Sequence, residues 1–298
     1  MKRKRGVNLT MVYLFLLPSL AIFLLYRVIP IGWNFVLSFQ EWKVIGANEW
    51  VGFEHYMDMF RDEVFWQSFR NTLVYFFIGS PLAIVLAVTI ATLVNNPMRG
   101  RNFYRVVVFL PYPITPVAIA IIWKWLYNKD VGLINYLLRE IGLVDRGIPF
   151  LQSFTLALPS VIVTSVWQVL GYFVILVLAG LQTIPDDLYE SAELDGASPM
   201  AQFFRITLPL IRPTVFICFI VGIINSFTVF DMVWVMTRGG PGHATEILMT
   251  NIYKNAFTFN KIGFAAAMTV FMFLFLLAVT WYLNRLSGGE AGGVEYYE

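Results

Sequence analysis

Apolar runs free of charge alternate with short polar segments along this chain, and six of the runs are long enough to predict a membrane helix. The first is Met11–Tyr26, continued by a second apolar stretch from Val28 to Phe39. Asn71–Val94 follows without a break, then Val106–Trp123. Gly147–Pro185 carries no charge over 39 residues, room for an entry loop and one span at about Leu156–Gly180. Pro213–Phe230 and Ile262–Asn284 complete the set. A span needs about 20 mostly apolar residues. The pattern therefore predicts an all-α polytopic membrane protein with six transmembrane helices and both termini on one side. The first run is long and lacks a small-residue cleavage site, which argues against a cleaved signal peptide.

Composition sharpens this picture. Hydrophobic residues make up 58% of the 298 and charged residues 13%, about half the usual share of roughly 25%. A soluble protein of this size needs more polar surface, and disorder needs the opposite balance. A net charge of +2 offers no basic field for nucleic acid. Cys218 is the single cysteine, and His55 and His243 are the two histidines. No disulfide framework, thiolate metal site or histidine-based catalytic cluster can be built from these. No phosphate-binding glycine loop occurs either; the turn Thr237–His243 is glycine-rich but lacks the strand, helix and lysine of one. Neither a cofactor nor a catalytic site is expected, and any ATP-driven step needs another chain.

Lys and Arg number ten on each side of the predicted membrane, with Arg27 set apart. Density separates the sides. Lys2, Arg3, Lys4 and Arg5, then Arg99, Arg101 and Arg105, crowd two short segments without an acid. Positive charge beside the first spans marks the cytoplasmic side. Both termini are thus expected in the cytoplasm, with lipid as the surroundings of the spans.

The long inner loop, Leu181–Arg212, is built differently from its neighbours. Thr183 can cap a helix whose first turn holds Pro185, Asp186 and Asp187, residues that suit the positive end of the helix dipole. Gly196 supplies a left-handed stop. Ser198-Pro199 starts a second helix, and Leu208-Pro209 and Arg212-Pro213 break it. A solvated connector would share the outline, but a glycine elbow with fixed proline stops favours a docking surface.

Glu190-Ser191-Ala192, three residues, Gly196, nine residues and Ile206-x-Leu208-Pro209 together resemble the EAA motif of ABC importer permeases, with Ser191 in place of a second alanine. Arg101 with Leu110-Pro111, Gly132–Asn135, Ile184–Tyr189, and Phe230-Asp231 followed by Thr237-x-Gly-Gly-Pro241 look like carbohydrate-uptake permeases of the maltose and glycerol-phosphate type. The resemblance implies the type I importer permease fold, held in the inner membrane of a prokaryotic cell. It implies a cytoplasmic tail, first helix and outer loop over 1–68, a transport domain over 69–284, and a tail over 285–298. It implies that Glu190, Ser191, Ala192, Asp195 and Gly196 couple to the ATPase. The partners it implies are a second homologous permease, two ABC ATPase subunits, an extracytoplasmic substrate-binding protein and a sugar substrate moved by alternating access.

In the fifth span Gly222, Ser226, Val229 and Val233 recur at helical spacing, one small, weakly polar face. The resemblance places their counterparts in the sugar pocket, together with Trp167, Gln168, Val169 and Tyr172 of the fourth span. An aromatic face suits a pyranose, and Gln and Ser suit its hydroxyls. The plainer reading of Trp167 and Tyr172 is an interfacial aromatic belt. Asp231 reads as structural, since a lone carboxylate makes a poor proton relay, and Arg27 and Lys124 read as snorkelling cations. A glycerol-phosphate importer is the alternative within the family. An ion-coupled secondary transporter is the alternative outside it, but that would want paired intramembrane charges or broken helices with internal symmetry. A membrane enzyme would need a cluster of reactive groups, which the chain does not offer.

Overall fold

A computed structural model describes residues 9–43, 48–96 and 99–286. The basic cluster Lys2–Arg5 and the glycines 288–293 lie outside them. The chain forms two compact units. One comprises the described residues up to Asp62 together with Ile252–Leu274; the other comprises Glu63–Asn251 with the chain from Phe275 onward.

In the first unit, α1 (Leu9–Phe23) runs through a wide π turn, Leu24–Val28, into α2 (Ile29–Leu37). Pro30 follows that turn by two residues. A proline lacks an N–H and its ring clashes with the carbonyl four residues back, so the widened turn lets the helix pass rather than stop. After α2 a two-residue ladder pairs Gln40 with Trp50 and Glu41 with Glu49 (β1 Gln40–Glu41, β2 Glu49–Trp50), closed by the Lys43–Glu49 ion pair. Then comes α3 (Glu54–Arg61). Phe39 stacks on Trp50 at 5.7 Å, and the Ser38 and Tyr56 hydroxyls lie 2.7 Å apart.

The second unit carries the main packing. Its elements are α4 (Glu63–Asn95), α5 (Arg101–Phe109), α6 (Pro116–Leu126), α7 (Leu133–Glu140) and α8 (Ala157–Leu181). They continue as α9 (Asp186–Leu194), α10 (Pro199–Gln202), α11 (Leu208–Leu210), α12 (Arg212–Thr228), α13 (Asp231–Met236) and α14 (Leu248–Tyr253), whose last two residues fall in the first unit. The last helix, α15 (Ile262–Leu286), begins in the first unit and ends in the second. Helix α4 packs along α8 and α12. Its Ala83, Ala87 and Ala91 are all buried, small residues one turn apart that let helix backbones approach. Phe69, Phe227 and Phe275 close the far end of this core, with rings 5.2–5.3 Å apart from Phe275 to each of the others.

Uninterrupted helices do not reach the expected six spans. Among the described residues four are long and apolar enough to cross a membrane: Tyr13–Leu37, Glu63–Asn95, Ala157–Leu181 and Ile262–Arg285. The third expected span is broken at Leu110–Thr115 between α5 and α6, where Pro111 and Pro113 interrupt the ladder and Pro116 restarts it. The fifth, α12, has 17 residues and meets the segment before it at a 64° bend.

Candidate functional site

A cavity of about 450 Å³ lies within the second unit. Both helix breaks border it: Tyr112 and Pro116 come from the α5–α6 break, and Val229 and Phe230 from the gap between α12 and α13. At Val229 the backbone turns extended (φ −60°, ψ 131°), and α13 starts again at Asp231. Backbone freed from a helix at membrane depth is tolerated only where it is buried in protein or lines a cavity. Here it does the latter. The loose ends are partly tied by side chains, since Thr228 Oγ1 donates to the Ile224 carbonyl (2.8 Å) and Gln168 Nε2 to the Ile114 carbonyl (3.0 Å).

Helices α4 and α12 meet at the cavity wall through small residues. Ser226 Oγ donates to the Gly222 carbonyl at 2.8 Å. With its one proton used there, Ser226 accepts from Ser80 Oγ, 3.3 Å away. Gly222 sits against Ser80 so closely that a Cβ on it would lie 2.7 Å from Ser80 Oγ. Further polar groups on the wall are Tyr75, Ser165, Asn225 and Asp231.

Of the residues expected along the substrate path, Gln168, Val169, Gly222, Ser226 and Val229 line this cavity. Trp167 and Tyr172 do not. Trp167 packs edge-on against Trp123 at 5.5 Å. Tyr172 stacks behind Tyr112, 4.9 Å between centroids and 16° between planes, so Tyr112 presents its ring instead. Val233 is fully buried in α13, and the continuous face expected from Gly222 to Val233 is cut at Val229. Asp231, read from sequence as structural, stands on the wall. The signals for Tyr112 and Asp231 were the prolines around the first and the place of the second just past the apolar run.

The inner loop forms the expected elbow in finer detail. Gly196 is left-handed (φ 79°). The Ala197 N–H donates to the Ala192 carbonyl (2.9 Å) and the Gly196 N–H to the Glu193 carbonyl (3.0 Å), a Schellman ending. Ser198 Oγ caps the second arm by accepting from the Ala201 N–H. Thr183 does not cap α9: Pro185 occupies the cap position, and the Thr183 hydroxyl donates back to the Gly180 carbonyl at the end of α8. Pro209 does not break the second arm, because a π turn, Phe203–Thr207, again stands two residues before the proline. The break comes at Ile211. Tyr189 and Thr207, hydroxyl to hydroxyl at 2.9 Å, clasp the two arms. Glu190, Ser191, Asp195 and Gly196 are exposed, Ala192 is half-buried, and Leu194 and Met200 stand out at 90% and 67% exposure.

The glycine-rich segment Thr237–His243 is a tight turn stapled to the start of α4. Asn71 Nδ2 donates to the carbonyls of His243 (3.0 Å) and Glu246 (2.9 Å). Thr237 and Thr245 share a 2.7 Å hydroxyl contact.

Residues 79–288 match the family described as the binding-protein-dependent transport system inner membrane component. The chain is 36% identical to the probable ABC transporter permease protein YurN of Bacillus subtilis, over 90% of this chain and 92% of that one. It is 32% identical to the sn-glycerol-3-phosphate transport system permease protein UgpA of Yersinia pestis, over 90% of each. Among solved structures it resembles a chain of a bacterial alginate ABC transporter in complex with alginate pentasaccharide-bound periplasmic protein. That likeness has a TM-score of 0.84 and 25% identity, and covers 95% of each chain.

Proposed function

The chain belongs to the family of binding-protein-dependent transport system inner membrane components, and we propose that it is the permease subunit of an ATP-driven importer for a sugar or oligosaccharide. The observation that carries the reading is the cavity between two broken helices, lined by hydroxyls, amides and aromatic rings. Its size falls within the roughly 300–1,000 Å³ of small-molecule sites. Tyr112 offers a face for a sugar ring, held from behind by Tyr172. Ser80, Ser226, Asn225 and the Oε1 of Gln168 offer partners for hydroxyls.

The elbow is the part that engages the ATPase. Glu190, Ser191, Ala192, Asp195 and Gly196 form its surface, and Leu194 and Met200 supply exposed apolar area for a cleft to cover. ATP is hydrolysed by two partner subunits, a second permease completes the membrane pathway, and an extracytoplasmic binding protein delivers the sugar. The termini and elbow face the cytoplasm. The transport domain runs over 69–284, after an added first helix in 1–68 and before a tail at 285–298.

An ion-coupled carrier also uses broken helices, but it needs paired intramembrane charges; of the described lining residues only Asp231 carries one. The test is purification from native membranes with its partners, identification of the sugar held by the binding protein that accompanies it, and reconstitution in liposomes. ATP-dependent accumulation of that sugar is expected. Accumulation driven by an ion gradient without ATP would overturn the reading.

A further inference from the structure

The charges around the cavity are one-sided. Asp231 is the one acidic side chain among the described lining residues; every other polar side chain there ends in a hydroxyl or an amide. No lysine or arginine is among the described residues of the wall. Lys124, on the adjoining helix α6, donates its ammonium to the Val235 carbonyl at 3.3 Å. Arg105 on α5 buries Nε and Nη2 without partners among the described residues, but it is not part of the wall.

A uronate, phosphate or sulfonate entering such a cavity would leave water, find no cation on this wall, and come near a carboxylate. Sites for such anions are commonly built from arginine or lysine, or from helix N-termini; of the two helices that restart at this cavity, α6 begins with Pro116, which has no N–H, and α13 begins with Asp231 itself. A neutral pyranose meets none of these penalties, and the Asp231 carboxylate can accept from its hydroxyls, a charge-assisted bond stronger than a neutral one. We propose that this cavity admits uncharged glycans and rejects anionic ones, with Asp231 as the residue that discriminates. The inference rests on the sugar-permease reading and narrows it.

Two like charges about 6 Å apart, near a protein surface, disfavour binding roughly 100-fold before solvent and salt reduce the effect. The experiment uses the assembled permease–ATPase complex in detergent, without the binding protein. It is titrated with methyl glycosides of glucose, galactose and mannose and with their C6-oxidised uronate counterparts, each pair differing only at that carbon, a neutral hydroxymethyl group against a carboxylate. The neutral member should bind at least about tenfold tighter, and Asp231→Asn should bring the ratio of the pair to within about threefold of unity. If Asp231→Asn does not assemble, the wild-type ratio is read against ionic strength, where it should contract as salt screens the carboxylate. Preference for the uronate overturns the proposal. So does a ratio indifferent to both the substitution and salt while the neutral sugar still binds. Binding of no sugar at all, by a complex that still hydrolyses ATP, overturns the sugar-permease reading itself.

Discussion

Ser80 on α4 and Ser226 on α12 meet oxygen to oxygen at 3.3 Å, directly above a glycine that has no room for a side chain. A Cβ at Gly222 would fall 2.9 Å from the Ser80 Cβ, which no rotamer change relieves. Gly222→Ala should therefore push the helices apart and destabilise the packing by about 1–3 kcal/mol, with reduced uptake. Adding Ser80→Gly removes the obstacle and should recover much of the loss. Thermal denaturation of the purified complex, read as a double-mutant cycle, measures the coupling. Strictly additive effects would mean the two positions do not touch.

Tyr172 works through Tyr112. Tyr172→Phe keeps the stack and should transport nearly as wild type. Tyr172→Ala removes a contact worth about 0.5–1.5 kcal/mol and should weaken substrate affinity by up to about tenfold. Gln168→Ala removes the exposed bond to the Ile114 carbonyl together with a sugar contact, and should cost about 0.5–1.5 kcal/mol. Concentration-dependent uptake separates them, and equal losses in Tyr172→Phe and Tyr172→Ala would deny the stack a role.

Nothing lies within 4 Å of the place a Gly196 side chain would occupy. The difficulty for Gly196→Val is therefore the left-handed backbone alone, which costs a β-branched residue about 1–2 kcal/mol or more. Asn tolerates that conformation, so Gly196→Asn should retain the ATPase on the purified complex, while Gly196→Val and Glu190→Lys should lose much of it. All three should still insert in the membrane. Full ATPase retention and wild-type uptake in Gly196→Val and Glu190→Lys would reduce the elbow to a connector.

The isolated chain should neither bind nor hydrolyse ATP, since its sequence lacks a phosphate loop. Turnover by the chain freed of partner subunits, at rates matching transport, would contradict its assignment as the permease component alone.

Much of this architecture was legible because apolar runs and helix-ending chemistry are local. Gly196 and Ser198 act on their own neighbours in the chain, and sequence alone placed them well. Proline was harder to read. Pro111, Pro113 and Pro116 split a span that counts as one by hydropathy, whereas Pro30 and Pro209 pass through helices that widen to admit them. Whether a proline breaks or bends depends on the register of carbonyls one turn earlier, which composition does not record. The cavity suffered from the same limit. Spacing put Val233 beside Ser226, but the chain leaves the helix at Val229, so the register ends there and Asp231 takes the wall instead. Tyr172 and Trp167 were sensed as aromatic neighbours of the site, yet which ring of a stack faces the opening is decided by the helix opposite.

The bend at Ile211 makes a crank of the elbow and α12. Ile211 is fully buried, a held pivot, and the Tyr189–Thr207 clasp stiffens the throw beyond it. Across a 64° corner, thrust along one limb arrives in the other chiefly as sideways travel. Gly222 and Ser226 ride on that second limb, so a load taken up at the exposed tip would sweep one side of the cavity past α4. Under the proposed coupling no relay of side chains through the core would be required, since the shape of the backbone would carry the stroke.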